Sequence, residues 1–473
     1  MKTLVVGSTL LAVCALSLTA CGNPAAPVAT TAPPSAAPTV TSSSPVPSGP
    51  SVTATTLPAT AAGTQLAWVI ASLNAGKTVP DAVLREHFSD SFLAAIPPAK
   101  LIAALSSVAA AGPFTYSGSL GPYTQTALLA RIDGPAGSLK VSVSVDTSSQ
   151  RRINGLAFTP YTAVTKPDNW GQADASLRSL ASQAGLFAAE VTTSGSLRPL
   201  HELDAGRVGA IGSAFKLYVL GALGEAIEQH RASWDEQLAI RPAWKSLPSG
   251  AMQNDPAGTR HSLRTYAQQM IAISDNTAAD HLINRLGRAA VEAELARLGN
   301  SDPARDTPFL TTREMFALKL SVPQKLRRAY AAASSAQRAR LLPQIDKLQL
   351  SLKAAESWTT PRDIGTIEWF ASPRDLGRAM VGLRALGRKP GLAPIRTILS
   401  RNPGMAFDPA TWAYTAYKGG SEIGVLSLTW LLERRDGRAF VLSITLNDPT
   451  HVIDEAGAAE VAQGAVDLLA SVK

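Results

Sequence analysis

The hydrophobic pattern changes character several times along the 473-residue chain. Behind Met1-Lys2, the stretch 4–18 is uncharged and mostly apolar, a run of about 15 residues that is too short to cross roughly 30 Å of hydrocarbon as a permanent helix. Residues 22–63 lose the pattern: they hold nine prolines, no charge, and otherwise almost only Ala, Ser, Thr, Val and Gly. Such a segment cannot bury enough apolar surface to fold, and its prolines keep it extended as a semi-rigid tether. From Thr64, Leu66, Val69, Ile70 and Leu73 recur at helical spacing, and 79–88 and 99–110 continue as further helices. After Gly112-Pro113 the period falls to two, which predicts strands at 114–117, 125–132, 139–145 and 153–160 between Gly- and Ser-rich turns. Helices followed by strands make 64–165 a small α+β unit.

The remaining 166–473 mixes both periods. A helix is predicted from Asp174, strands over 186–191 and 196–203, helices opening near Ser213 and at Ser274, and an alternating strand over 425–432. The organisation is therefore 1–20 as a leader, 21–63 as a disordered tether, 64–165 as a small domain and 166–473 as the main domain.

Composition removes several functions. The net charge of +8 comes from 44 basic and 36 acidic residues without a block of like charge, so no nucleic-acid arm is expected. The two cysteines, Cys14 and Cys21, both precede the folded region, which excludes a disulfide framework, zinc-finger spacing and a cysteine nucleophile there. The six histidines show neither His-x-His nor His-Glu-x-x-His spacing, so no metal and no cofactor is expected. The leader is a secretion signal, and Leu18-Thr19-Ala20-Cys21 resembles a bacterial lipobox. That resemblance implies cleavage before Cys21 and lipid on Cys21, anchoring the chain to the extracytoplasmic face of the membrane; an ordinary signal peptide with an incidental cysteine is the alternative.

Candidate chemistry lies in three places. Ser213-Ala214-Phe215-Lys216 puts a hydroxyl and an amine at i and i+3, on one face of a helix. A lysine desolvated there has its pKa depressed and can take the serine proton, activating a nucleophile. Ser274-Asp275-Asn276 opens the next helix, and Lys418-Gly419-Gly420-Ser421 precedes the apolar strand at 425–432. Three motifs in this order resemble the active-site set of class A serine β-lactamases and penicillin-binding proteins over residues 170–473. The whole arrangement is similar to LpqF-type actinobacterial lipoproteins and to the β-lactamase-like esterase of clavulanic-acid gene clusters. The resemblance implies a class A β-lactamase-like α+β domain, an antiparallel sheet with a helical lobe, behind the small domain. It also implies roles: Ser213 as nucleophile, Lys216 as proton acceptor, Ser274 and Lys418 as proton relay, Asn276 orienting substrate or Lys216, and Gly419, Gly420 and Ser421 as the substrate and oxyanion side.

The chain departs from that family twice. Gly419 stands where the family carries a hydroxyl that binds a substrate carboxylate, and no Glu-x-x-Leu-Asn supplies a base for deacylation. Glu368 is the remaining carboxylate candidate for that base; the alternative for it is a packing role beside Trp369-Phe370. The basic segment 321–360, with Arg327, Arg328, Arg338 and Arg340, reads as an insertion with a solvated helix face, and His281 reads as a core or surface histidine. In element order the small domain is similar to ketosteroid-isomerase-like domains, yet it lacks paired aspartates or a tyrosine set, which leaves it a binding or packing module. The expected activity is an acyl-enzyme serine hydrolase acting on a small ester or β-lactam-like molecule, with weak β-lactam turnover. Alternatives are transpeptidation on a cell-wall component and a non-catalytic envelope-binding lipoprotein that keeps the fold.

Overall fold

The computed structural model describes residues 56–473 except 121–122, 162–163, 248, 352–353, 356–357 and 359. The leader, Cys21 and the tether up to residue 55 lie outside the described residues. The chain divides between Tyr161 and Thr162 into two compact units.

In the first unit, helices Ala61–Asn74, Asp81–His87, Asp90–Ala95 and Pro98–Ala109 precede an antiparallel meander of Thr115–Ser119, Ala127–Gly134, Gly137–Val145 and Ile153–Pro160. The first helix starts three residues before the expected Thr64, because Thr60 Oγ1 accepts from the amide of Gly63 at 3.0 Å and caps it. The short helix Asp90–Ala95 was not expected; six residues carry too few turns for a helical period, and Ser89 caps it through Phe92 N at 3.2 Å. Leu66, Val69 and Leu73 on one helix face pack with Ile132, Val141, Val143 and Phe158 in this unit's own core.

The second unit is built on a five-stranded antiparallel sheet in the order Trp412–Glu422, Val425–Arg434, Ala439–Asn447, Gln183–Val191, Leu197–Leu203. Every residue of Ala439–Asn447 is buried, as a central strand covered on both faces requires. One face is covered by Trp170–Leu180 and Glu455–Ala470, whose Leu177, Val461 and Leu469 pack with Leu442 and Ile444. The other face carries Pro373–Leu386 and the remaining helices, packed through Phe187, Leu220, Met380 and Val441. Ser372 opens that helix with a full capping box: Ser372 Oγ accepts from Asp375 N at 3.1 Å, and Asp375 Oδ2 accepts from Ser372 N at 3.0 Å. This is the mixed α+β architecture expected, and it leaves Trp412–Glu422 as an edge strand beside the Ser213 turn.

The basic insertion forms helices Gln324–Ala332 and Ser335–Ile345. Its charge is only partly a solvated face. Arg327 pairs with Asp363 at 2.8 Å, and Arg338 donates to Tyr330 O at 3.2 Å, whereas Arg328 and Arg340 are exposed.

Candidate active site

Ser213 lies on a 3₁₀ turn, Gly212–Phe215, and Lys216 is the first residue of the α-helix Lys216–Glu228. The expectation of Ser213 on the helix itself is thus corrected by one turn. A 3₁₀ turn has three residues per revolution, so i and i+3 eclipse, and Lys216 Nζ lies 2.9 Å from Ser213 Oγ. Gly212 adopts φ +49°, a left-handed conformation that glycine takes without a steric cost.

Ser274 also has a left-handed φ, +58°, which a serine adopts only where its surroundings hold it. Those surroundings centre on Asp275. Its Oδ1 caps Asn276–Leu286 through Ala278 N at 2.8 Å, and its Oδ2 accepts from Ala251 N and Met252 N at 2.7 and 2.9 Å. The turn so fixed presents both Ser274 oxygens to Lys216 Nζ, the carbonyl at 2.6 Å and the hydroxyl at 3.1 Å. Asn276 Oδ1 completes the set at 2.7 Å, while its Nδ2 donates to Leu247 O. Asn276 therefore holds Lys216 directly, and it also lines the cleft.

Lys418 reaches the same point from the edge strand, with Nζ 3.0 Å from Ser274 Oγ and 2.5 Å from Gly419 O. Ser213, Lys216, Ser274 and Lys418 thus form one chain of hydrogen-bonding contacts. Burial, and after it the neighbouring Lys418 charge, pushes the fully buried Lys216 amine well below the usual lysine range. Burial pushes Lys418 down to about 7.

The strand packs against the Ser213 turn through glycine. A Cβ on Gly420 would lie 2.1 Å from Ile211 O, 2.5 Å from Ala214 N and 2.6 Å from Ser213 N. A Cβ on Gly212 would lie 3.1 Å from Ser421 N. The amides of Ser213 and Ser421 consequently border one narrow gap, and a pair of amides so placed can stabilise an oxyanion. Gly420 permits this close approach and also lines the cleft.

These groups open onto a cleft of about 520 Å³ lined by Ser213, Ser274, Asn276, Lys418 and Ser421, with Thr312, Trp358 and Tyr417 on its walls. Its lining includes Glu368 and Glu422, which the buried Lys319 joins in a cluster that the sequence did not connect. Lys319 Nζ is 3.1 Å from Glu368 Oε1 and also pairs with Glu422 Oε1, and both lysine and Glu368 side chains are fully enclosed. Glu368 Oε2 accepts from Trp369 N at 3.2 Å, so the sequence-derived candidate base is one carboxylate of a buried ion cluster. Burial and the facing Glu368 raise the Glu422 carboxyl well above the usual range. The signal that could have flagged Glu422 is its spacing: Lys418, Gly420 and Glu422 alternate onto one strand face.

His281 is fully buried. Its Nε2 accepts from Arg241 N at 2.9 Å and its Nδ1 faces Thr277 O at 2.7 Å, which fixes one neutral tautomer in a structural role. Among the described residues no cluster of His, Cys, Asp and Glu is arranged to hold a metal ion.

Comparison with known proteins covers both units. Residues 175–385 match the profile of the Beta-lactamase enzyme family, and residues 57–150 match that of the ORF 12 gene product N-terminal region. No curated protein matches the chain. Solved structures similar to it include PBP-A, with 18% identity, 64% of this chain and 96% of that chain covered, and a TM-score of 0.41. A β-lactamase from Sphaerobacter thermophilus gives 18%, 64%, 96% and 0.44, and one from Francisella tularensis 13%, 63%, 98% and 0.42. The segment 175–385, which carries Ser213, Lys216, Ser274 and Asn276, is thus similar to the Beta-lactamase enzyme family.

Proposed function

We propose that this protein is an exported, lipid-anchored serine hydrolase that forms an acyl-enzyme on Ser213 with a small ester or β-lactam-like amide and turns β-lactams over slowly. The observation that carries this reading is the enclosure of Lys216 Nζ by Ser213 Oγ, Ser274 O, Ser274 Oγ and Asn276 Oδ1 in a site whose burial favours the neutral amine. A neutral Lys216 accepts the Ser213 proton as Oγ bonds to the carbonyl carbon, and the carbonyl electron pair moves onto oxygen beside the Ser213 and Ser421 amides. The oxyanion then reforms the carbonyl, the bond to the leaving oxygen or nitrogen breaks, and that atom takes a proton through Ser274, which Lys216 and Lys418 flank. Water later attacks the ester and releases the acid. With Glu368 engaged by Lys319, and no Glu-x-x-Leu-Asn elsewhere, this second step is the slow one.

The test is to label the intact protein with a fluorophosphonate and a fluorescent penicillin and to identify the modified peptide by mass spectrometry. Modification at Ser213 supports the reading. A wild-type protein left unmodified by ester, β-lactam and fluorophosphonate alike would replace it with the envelope-binding alternative.

A further inference from the structure

Gly419 leaves the expected hydroxyl out of the sequence, but the space in front of it is occupied. A Cβ built on Gly419 would lie 2.1 Å from Tyr417 Oη and 2.8 Å from Tyr417 Cζ. Residues i and i+2 of a strand share a face, so the Tyr417 ring lies along the strand and brings its phenol to position 419. The ring is held in that pose. It packs on Trp430 with centroids 4.8 Å apart, and Trp430 is itself fixed by its Nε1 donating to Pro403 O at 2.8 Å. On the other side, Gly404 at φ +77° passes so close that a Cβ there would lie 2.7 Å from Tyr417 Cδ1.

Tyr417 lines the cleft together with Ser213, Lys418 and Ser421, and its hydroxyl makes no hydrogen bond to the described residues. Burial, with the Glu455 carboxylate nearby, pushes the phenol up to about 12, so the group keeps its proton at neutral pH. A rigid, unpartnered O–H beside a lysine, in a cleft that holds a nucleophilic serine, is a donor awaiting an acceptor. Leaving it unpaired when a substrate displaces water costs binding free energy, whereas pairing it recovers that cost.

We propose that Tyr417 is a substrate-binding residue whose Oη donates a hydrogen bond to an acceptor oxygen, a carboxylate or a carbonyl, carried by the substrate beside its scissile bond. The inference deepens the proposed acyl-enzyme function, since it rests on the same cleft being the substrate site. It also makes Gly419 a consequence: a side chain at 419 and the Tyr417 phenol exclude one another.

The test separates the two ideas by measuring binding without acylation. In a Ser213→Ala background, calorimetry gives Kd for benzylpenicillin and for its methyl ester. Adding Tyr417→Phe, which removes one oxygen and no packing, is expected to weaken benzylpenicillin binding about tenfold. An equal loss with the methyl ester assigns the bond to a carbonyl, and a loss confined to the free acid assigns it to the carboxylate. Tyr417→Ala combined with Gly419→Thr moves a hydroxyl onto the strand itself, and recovery of affinity relative to Tyr417→Ala alone supports the assignment. An unchanged Kd in Tyr417→Phe overturns it, as does the absence of measurable binding of both probes. Failure of Ser213 to become labelled in the otherwise wild-type protein overturns the acyl-enzyme reading and leaves the Kd comparison standing.

Discussion

Ser274 and Lys418 meet at 3.0 Å across 144 positions of sequence, and the contact couples the protonation of two lysines. Lys418 Nζ and Lys216 Nζ bind the same Ser274 hydroxyl, and the charge on Lys418 is one of the causes that lowers Lys216. The serine between them can pass a proton in either direction without moving.

Acylation should therefore have a bell-shaped pH profile. Its rising limb follows loss of the Lys216 proton, which lies well below the usual lysine range. Its falling limb lies near 7, where Lys418 loses its charge, because a neutral Lys418 can neither return a proton to Ser274 nor favour an anion. In Lys418→Ala the falling limb should vanish, and the rising limb should move to higher pH as the repulsion on Lys216 is removed. Rates of Ser213 labelling between pH 5 and 9 decide this, and a wild-type profile flat across that range would refute the coupling.

Gly420→Ala should abolish labelling while leaving the second unit folded. The added methyl meets backbone atoms, Ile211 O at 2.1 Å and Ser213 N at 2.6 Å, so the strand and the Ser213 turn must separate. A displacement of about 1 Å is enough to cost roughly 100-fold in a positioned reaction. Gly206→Ala is the matched control, since nothing lies within 4 Å of its Cβ position. Labelling rates and thermal midpoints of the two variants, compared side by side, test the claim.

The parts of the site legible in the sequence were those set by local spacing. Ser213 and Lys216 share a turn, Asp275 caps the helix it precedes, and a strand does cover 425–432, although it is buried almost throughout instead of alternating. What the sequence could not reveal was set by tertiary approach. Lys319 sits on a π-helical turn, Ala317–Ser321, and finds Glu368 and Glu422 49 and 103 positions away; no periodicity predicts that meeting. Gly419 reads as a missing hydroxyl until the neighbouring Tyr417 ring is placed in three dimensions. The left-handed Ser274 is equally silent, because serine carries no signature of that conformation as glycine does.

Lys319→Met should make stability depend on pH in a way the wild type does not. The two carboxyls at this lysine would face each other without the cation that bridges them, with only the Arg362 charge left near Glu422, and removing one partner from a buried ion cluster costs about 3–5 kcal/mol. Protonation relieves the repulsion. Glu422 already stands above the usual range, and without Lys319 its folded pKa rises further above the unfolded value. A group raised on folding favours the folded state below its unfolded pKa and loses that contribution as pH rises through the folded pKa. The deficit relative to wild type should accordingly be small at pH 5 and large at pH 8 in urea unfolding, and Glu422→Gln added to Lys319→Met should recover part of it. An equal deficit at both pH values would mean that lost packing, not charge, dominates.

Ser213→Ala and Lys216→Ala should separate chemistry from stability. Ser213 Oγ is one of several acceptors around Lys216, and its removal still leaves Ser274 O at 2.6 Å and Asn276 Oδ1 at 2.7 Å. One neutral hydrogen bond contributes about 0.5–1.5 kcal/mol, so the unfolding midpoint of Ser213→Ala should stay close to wild type while covalent labelling disappears. Lys216→Ala also removes labelling, but it leaves Asn276 Oδ1, which has no other donor among the hydrogen bonds described, buried beside an empty space. That combination of an unsatisfied acceptor, about 1–3 kcal/mol, and a cavity from a fully buried side chain should lower stability clearly below that of Ser213→Ala. Lys216→Met refills most of the volume without restoring the donor, so it should recover the cavity part of the loss and none of the labelling. Urea unfolding and fluorophosphonate labelling of the three variants make the comparison; covalent modification of Ser213 in Lys216→Met at the wild-type rate would show that the amine is not the proton acceptor.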